Sequence, residues 1–474
     1  MNKLKLFVEN FLVYGFGGII SKIIPLIMVP IVTRIMPSTD YYGISDLSNT
    51  VVNFASALAV MGMYDAMYRM FFEKDDDKYK KRVCSTALIF TMITSMVVFI
   101  LLVLFRGVVA QYFFSNRKFA YVVYISAIAS LVGATNSIIS APTRMQNKRK
   151  IYLITNTVSP VLSYAVSIPM LLAGYYVIAL PLAAVISGIT MEVTFAVLNH
   201  EWFNFKLFDF KLLKQLLVIA VPLFPNFLIY WIFNSCDKVM VTNMIGIGAA
   251  GIYSVGSKLG NCSQLIYTAF AGGWQYFAFS TMKEENQVES NSRIFEYLGI
   301  ISFIATAFIC AWSYGLFKVL FTEKYLRGYI IAPYLFLAPL LQMLFQVACN
   351  QFLVIKKTWP NMFILSTGSV LNILINYLLI PILGIEGASI ATLVGYCASD
   401  IICVIVLRKM KLMVIRKEFI IISILMVFYM LVWRLEFNSD VFIGTVCAII
   451  LTFIIVMMYM KDIKKFYTII KKEN

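Results

Sequence analysis

Hydrophobic segments of about 20 residues recur along the whole chain, separated by short polar connections. A helix of that length crosses about 30 Å of hydrocarbon, because each residue adds about 1.5 Å. We count about 14 such segments. Their centres lie near residues 23, 53, 94, 129, 162, 187, 224, 266, 306, 342, 369, 395, 427 and 451. The pattern therefore predicts an all-α polytopic membrane protein.

Composition agrees with a lipid environment, since 61% of the 474 residues are hydrophobic and soluble domains have about 45–50%. The formal net charge of +16 would also suit a nucleic-acid partner, so its distribution is decisive. Most Lys and Arg residues lie in the even-numbered connections and at the C-terminus. Cytoplasmic loops carry such an excess. The charge therefore predicts both termini in the cytoplasm and no nucleic-acid partner.

Enzyme and metal chemistry find little support in the sequence. The eight cysteines are scattered and the histidine is single, and none has the spacing of metal ligands. No P-loop is present, so ATP is not expected to drive the protein directly. The polar connections are shorter than the about 50 residues that a globular domain needs. We expect a transporter with no catalytic residues, no metal and no cofactor.

An internal duplication is detectable at an offset of 208 residues. The offset aligns Gly43-Ile44 with Gly251-Ile252, Asn53 with Asn261, and Glu192 with Asp400. It is close to the distance between the centres of spans one and seven, so it predicts two six-helix bundles in parallel repeat. The expected organisation is an N-terminal lobe 1–205, a second lobe 206–407, and a segment 408–474 with two additional C-terminal helices and a basic cytoplasmic tail.

Polar residues recur at three- and four-residue steps within several spans, which places them on one helix face. Charged groups in lipid cost several kcal/mol, so such faces are expected to line a watery cavity. Span one carries Lys22 on this face. The other stripes are Tyr42, Asp46, Asn49, Asn53 and Ser56 in span two, Asn226, Tyr230, Asn234 and Asp237 in span seven, and Ser254, Lys258, Asn261 and Thr268 in span eight.

Two interpretations of the intramembrane charges remain open. Lys22, Lys258 and Arg69, with Lys238, have the chemistry to hold an anionic group such as a pyrophosphate. Alternatively these side chains extend to the interface or bond neighbouring helices. Arg69 stands four residues after Asp65, the spacing of a helix-end salt bridge.

Four carboxylates are candidates for ion coupling, because buried carboxyl groups can carry protons through a transporter. They are Asp65, Glu192, Asp237 and Asp400. Glu192 and Asp400 occupy equivalent places in spans six and twelve. The alternative for these two is a structural role near cytoplasmic water, in which they pair with Arg408 or Lys409.

Short motifs in both halves resemble the polysaccharide-export branch of the multidrug/oligosaccharidyl-lipid/polysaccharide transporter superfamily, which contains O-antigen and capsule repeat-unit flippases. In the first half these are residues 25–34, PLIMVPIVTR, followed by Tyr42-Gly43-Ile44. In the second half they are residues 221–225, VPLFP, then Asp237-Lys238, and then residues 251–259, GIYSVGSKL.

The resemblance implies a V-shaped core of twelve helices with two peripheral helices, in the cytoplasmic (inner) membrane. It implies an undecaprenyl-pyrophosphate-linked oligosaccharide as substrate and a proton or sodium gradient as energy source. Lys22, Arg34 and Lys258 fall where the cationic cavity would be lined, with Asp46, Asn53, Arg69 and Asn261 as further candidates. A polysaccharide polymerase and a chain-length regulator are the candidate protein partners.

Three other functions are compatible with parts of the pattern. A cation-coupled multidrug antiporter of the same superfamily would need carboxylates and few cations, so Lys22 and Lys258 count against it. A peptidoglycan-precursor flippase shares the chemistry and stays open. A membrane-embedded polysaccharide polymerase should have a large outer loop, whereas the outer connections here are short.

Overall fold

The computed structural model describes residues 23–281, 284–355, 357, 359–462 and 464. Within these ranges the chain is helical and contains no strand, which confirms the all-α prediction. In chain order the helices are α1 Ile23–Ile35 (its described part), α2 Thr39–Val60, α3 Met63–Phe71, α4 Asp77–Leu104, α5 Arg106–Phe114, α6 Ala120–Met145, α7 Arg149–Leu172, α8 Ala179–Leu198, α9 Phe210–Ala220, α10 Phe224–Trp231, α11 Asp237–Met244, α12 Ile247–Gly260, α13 Ser263–Ser280, α14 Gln287–Leu320, α15 Ala332–Val354, α16 Trp359–Leu383, α17 Ile385–Lys409, α18 Lys417–Val432 and α19 Val441–Met458.

Eleven helical segments in the described ranges are long and apolar enough to cross a membrane, or twelve if α2 and α3 form one bent span. The chain is therefore a multi-pass membrane protein, whereas the predicted number of about 14 is not confirmed. The described part of α1 is shorter than a span. The predicted eighth span is divided into α12 and α13, which meet at Asn261 and Cys262.

Local backbone chemistry explains the interruptions. Met61 (φ 47°) and Gly62 (φ 75°) adopt the left-handed conformation that ends a helix, and α3 continues at 48° to α2. A Cβ at position 62 would meet the backbone of Ala220, so glycine is also needed for close packing. Between α10 and α11 a π-helical turn, Ile232–Cys236, adds width to an otherwise continuous span.

The chain forms two compact units. The first ends at Ser254 and also includes Asn376–Ala388, and the second comprises Val255–Ile375 and the residues from Ser389 onward. The predicted lobes 1–205 and 206–407 stay a prediction.

In the first unit, α3, α4, α6 and α9 pack around one apolar core. Asp209 caps α9, pairs with Arg82, and accepts hydrogen bonds from the backbone N–H groups of Leu212 and Lys211. These contacts lower the pKa of Asp209. The largest contribution comes from the backbone N–H of Leu212, and smaller ones come from the backbone N–H of Lys211 and from the Arg82 guanidinium.

In the second unit, α18 and α19 are fastened to α14 by a buried charge cluster around Glu296 and Arg416. Glu296 is 1% exposed and accepts hydrogen bonds from the backbone N–H of Arg416 at 2.7 Å and from its Nε at 2.5 Å. The Arg416 Nη1 pairs with Asp462 at 2.5 Å, and its guanidinium lies 4.4 Å from the ring centroid of Tyr459. The backbone N–H and the guanidinium of Arg416 thus make directional contacts with Glu296 and Tyr459, which restrict the geometry of this cluster.

Candidate functional site

Two glycines, Gly43 and Gly251, allow α2 and α12 to approach each other closely. A Cβ added to Gly43 would lie 3.0 Å from the backbone nitrogen of Gly251, and a Cβ on Gly251 would lie 3.1 Å from that of Gly43. Side chains of any size are therefore excluded from the contact. These glycines are one of the pairs that the 208-residue repeat aligns, so repeat-related backbones touch each other here.

A buried ion pair lies one turn further along α2. Asp46, 5% exposed, accepts from the Lys238 ammonium at 2.5 Å and from the Ser254 hydroxyl at 2.8 Å. Asp46 and Ser254 are again separated by the repeat offset of 208 residues. We call Asp46, Lys238 and Ser254 the Asp46 cluster, and it joins α2, α11 and α12. A charge-assisted pair with little water around it is strong.

A second carboxylate, Asp237, is also buried beside this cluster. The hydroxyl of Tyr253 donates to Asp237 at 2.5 Å. Asp237 and Lys238 are neighbours in sequence and therefore point to different sides of α11. The structure thus brings together three predicted positions, Asp46, Asp237 and Lys238, and engages each of them in contacts between helices.

The polar stripe of α2 changes from buried to exposed along the helix. Tyr42 and Asp46 are buried, whereas Asn49 and Asn53 are exposed. The stripe that begins on α12, considered by itself, shows the same order: Ser254 is buried, Lys258 is half-buried, and Asn261, directly after the end of α12, is exposed. In both stripes the residues nearest the start of the helix are buried, and exposed residues follow further along; Ser56, the last member of the α2 stripe, is half-buried.

Two of the predicted cations of the first unit lie at the surface, whereas Lys238 lies in the Asp46 cluster. Arg34 at the end of α1 and Arg69 on α3 are exposed, and no ion pair joins Arg69 to Asp65 in the described part of the chain. The helix-end salt bridge considered for Asp65 and Arg69 is therefore not formed. Lys22 lies outside the described residues.

The sequence did not single out Arg144, which lies at the end of α6. Its Nη1 donates to the Tyr64 hydroxyl at 3.1 Å, and its guanidinium lies 5.2 Å from the ring centroid of Tyr152. The Tyr64 ring is followed by that of Tyr68, with centroids 6.1 Å apart. We call these four residues the Arg144 patch. In the sequence, basic residues at the ends of spans were explained by membrane topology. The neighbouring tyrosines are the feature that could have identified Arg144 as a candidate binding residue.

The repeat-related carboxylates Glu192 and Asp400 have different surroundings. Glu192 is half-buried and accepts from the Thr135 hydroxyl at 2.5 Å. Asp400 is 7% exposed, and neither oxygen has a hydrogen-bond partner among the described residues. The pairing with Arg408 or Lys409 considered for Asp400 is not found there. No group of three or more His, Cys, Asp or Glu residues that could hold a metal occurs in the described ranges.

Solved structures show which fold this is. The chain is similar to the lipid II flippase MurJ in an inward closed conformation, with a TM-score of 0.72 at 14% identity, covering 97% of this chain and 99% of that one. It is also similar to an inward-facing multidrug resistance MATE transporter of the MOP superfamily, with a TM-score of 0.60 at 13% identity over 83% of this chain and 98% of that one. A variant of a Vibrio cholerae MATE transporter gives 0.59 at 14% identity over 86% and 98%.

The sequence comparisons give the family. A search of curated proteins finds no match. The family described as Polysaccharide biosynthesis protein matches residues 31–329, which is more than half of the chain. This match agrees with the polysaccharide branch to which the sequence motifs point, and the chain shares the fold of the lipid II flippase and of the MATE transporters. The chain therefore belongs to the polysaccharide biosynthesis protein family.

Proposed function

We propose that the protein is a flippase that moves a polyprenyl-pyrophosphate-linked oligosaccharide repeat unit across the cytoplasmic membrane by alternating access. The product would serve the assembly of a surface polysaccharide, an O-antigen or a capsule. Family membership supports the polysaccharide context, and the fold is shared with a lipid II flippase. A charged sugar head cannot cross bare hydrocarbon, so a polar path through the protein is required.

The observation that carries the proposal is that the carboxylates of the polar stripes are buried and engaged, whereas two guanidinium groups are exposed. Asp46 and Asp237, the carboxylates on the polar stripes, are buried and already engaged by Lys238 and Tyr253. Arg69 and Arg144 are exposed. A site for cationic drugs would need accessible carboxylates, whereas guanidinium groups pair well with phosphate.

The Arg144 patch suits both parts of the head group. Guanidinium binds the pyrophosphate oxygens, and the rings of Tyr64, Tyr68 and Tyr152 offer apolar faces and hydroxyls to sugars. The predicted topology places this end of α3 and α6 on the cytoplasmic side, where the lipid-linked substrate is made. The polyprenyl tail would remain in the bilayer throughout.

Alternating access assigns a role to the contact between α2 and α12. These helices belong to the predicted lobes 1–205 and 206–407, and both begin on the predicted outer side. The glycine contact and the Asp46 cluster would close the outer end while the stripe beyond Asn49 is open to the cytoplasm. Export of the head group would then require the two helix starts to separate.

Further parts of the proposal follow from the resemblance. Both termini would lie in the cytoplasm, and a proton or sodium gradient would supply the energy. A polymerase and a chain-length regulator would receive the exported units on the outer face.

A peptidoglycan-precursor flippase is the second candidate, favoured by the extent of the structural match. The lipid II flippase aligns over 97% of this chain, compared with 83% for the inward-facing multidrug transporter. The two candidates differ in the saccharide and share the polyprenyl-pyrophosphate, so the substrate has to be varied to separate them.

The test is transfer of lipid-linked saccharide in proteoliposomes. Purified protein would be reconstituted with undecaprenyl-pyrophosphate oligosaccharide or with lipid II, and the fraction accessible on the opposite leaflet followed over time. Arg144→Ala is expected to lower the initial rate at limiting substrate by about tenfold, since a hydrogen bond to a charged group contributes about 1.5–3 kcal/mol. Lys150→Ala removes a nearby exposed cation and serves as the control.

Each outcome is informative. The proposal is supported if the wild-type protein transfers the oligosaccharide lipid, Arg144→Ala transfers it more slowly, and Lys150→Ala transfers it at the wild-type rate. Faster transfer of lipid II than of the oligosaccharide lipid moves the assignment to the second candidate. No transfer of either substrate by the wild-type protein would refute the flippase function.

A further inference from the structure

Asp400 on α17 is a sealed carboxyl group in the middle of a membrane span. Its side chain is 7% exposed and both oxygens lack hydrogen-bond partners among the described residues. It lies 15 residues after the start of α17 and nine before its end, which is about 22 Å and about 14 Å along a helix. These distances place the side chain well inside the predicted span.

Among the described residues, the titratable groups that interact electrostatically with Asp400 are three thiols. Cys349 on α15 and Cys397 and Cys403 on α17 itself interact electrostatically with it. No Lys or Arg of the described chain forms an ion pair with Asp400, and Arg408 and Lys409 lie more than two turns away. Among the described residues the carboxyl therefore has no ion-pair partner to compensate a negative charge.

This environment determines which form of the group is tolerable. An ionised carboxylate that has lost its water without gaining a partner costs many kcal/mol. The neutral acid costs much less, although its O–H donor remains unmet. A buried polar group left in this condition requires an explanation. One explanation is that the group is used in a second conformation, in which it meets water.

The repeat provides an internal contrast. Glu192 occupies the equivalent position in the first half, where it is half-buried and has the Thr135 hydroxyl as donor. The duplicated architecture alone thus does not require a sealed carboxyl at this place. The isolation of Asp400 is specific to the second half.

We propose that Asp400 is the proton-binding carboxyl that couples flipping to a proton gradient, an inference that rests on the proposed flippase function. A carboxylate oxygen takes a proton from water on one side of the membrane, forming an O–H bond. That bond is broken in the alternate conformation, and the proton passes to water on the other side. Sodium fits less well, because hard cations prefer several oxygen ligands and the neighbours here are soft thiols.

The experiment combines transport with a direct measurement of the proton. Flipping of undecaprenyl-pyrophosphate oligosaccharide would be followed in proteoliposomes with an imposed pH gradient. If one proton is coupled to each lipid, a gradient of about one pH unit changes the equilibrium distribution about tenfold. Infrared spectroscopy of the purified protein at neutral pH would detect the carbonyl band of a protonated carboxyl.

Four variants separate coupling from packing. Asp400→Asn keeps the shape but cannot exchange a proton, so it should abolish the gradient response and the infrared band. Asp400→Glu should restore part of both. Ser399→Ala, at the neighbouring buried position, controls for packing and should retain both. Glu192→Gln tests whether the equivalent carboxyl has the same role and should leave the response intact.

The outcomes distinguish the two hypotheses. Flipping by wild-type protein that ignores the pH gradient, or a gradient response retained in Asp400→Asn, overturns the coupling role and leaves the flippase function standing. A response lost in Glu192→Gln but not in Asp400→Asn places coupling in the first half and also overturns it. Failure of the wild-type protein to move any lipid-linked saccharide overturns the function and, with it, the coupling.

Discussion

The two units each contain a buried carboxylate with a cationic partner, and the partners differ in kind. Asp46 in the first unit is held by a lysine ammonium and a serine hydroxyl, both on side chains. Glu296 in the second unit is held by a backbone N–H and by the guanidinium of the same residue, Arg416. Both carboxylates are buried, so burial alone does not predict what each pair does.

The difference lies in how easily the contacts are exchanged for water. An ammonium on a flexible stem is a point charge that makes and breaks single contacts, whereas guanidinium is planar and directional. A backbone N–H cannot leave its carboxylate without moving the chain. The Asp46 cluster is therefore suited to a contact that opens during a cycle, and the Glu296 cluster to a permanent attachment of α18 and α19.

The largest expected effect is on stability, from Glu296→Gln. Removal of this charge leaves Arg416 beside one remaining carboxylate, Asp462, and loss of one partner of a buried pair typically costs about 3–5 kcal/mol. Thermal unfolding in detergent should show the loss. The control is Glu289→Gln, since the Glu289 side chain is 69% exposed and surface ion pairs contribute about 0–1 kcal/mol. A transport rate per folded molecule that falls without a change in unfolding temperature would contradict a purely anchoring role.

The next effect concerns conformation rather than stability. Asp46→Asn leaves Lys238 without its counter-charge and should favour separation of α2 from α12 by about 2–3 kcal/mol. A cysteine introduced by Ser45→Cys, buried at the start of α2, reports this separation as faster labelling by a membrane-impermeant maleimide. The exchange Asp46→Lys with Lys238→Asp should slow labelling again. Equal labelling in all three backgrounds would argue that the ion pair does not hold the contact.

The smallest of the three effects is steric and arises at the glycine contact. Gly43→Ala places a methyl group against the backbone of α12 and should destabilise the closed contact by about 1–2 kcal/mol, as overpacking does. Gly107→Ala is the matched control, because nothing lies within 4 Å of an added Cβ there. Faster Ser45→Cys labelling in Gly43→Ala only is the expected result. The same rate in both alanine variants would mean that the contact tolerates a side chain.

Hydropathy and internal repetition predicted much of this architecture. Runs of apolar residues located the spans because a bilayer leaves few alternatives to helices. The 208-residue offset paired Gly43 with Gly251, and the structure places these two glycines in contact. The same offset pairs Asp46 with Ser254, so this hydrogen bond could also have been predicted from the sequence.

Other features depended on geometry that no local pattern encodes. The choice of Lys238 as partner for Asp46 depends on how α11 is rotated about its axis. The 48° bend after α2 and the division of the eighth span interrupt segments whose hydropathy is continuous. Glu296 and Arg416 were not predicted because each, near the end of a span, resembles an ordinary boundary residue. Their pairing spans 120 residues and appears only on packing.

The π-helical turn at Ile232–Cys236 has a consequence for the register of the seventh span. A π turn holds one residue more than an α-helical turn, and one residue corresponds to about 100° of rotation in an α-helix. Migration of this extra residue along the helix would turn α11 about its own axis without bending it. Lys238 would then separate from Asp46, and Asp237 from Tyr253, in the same step. A change in the reactivity of the Cys236 thiol would report this rotation. A screw motion of one short segment would then release two contacts at once.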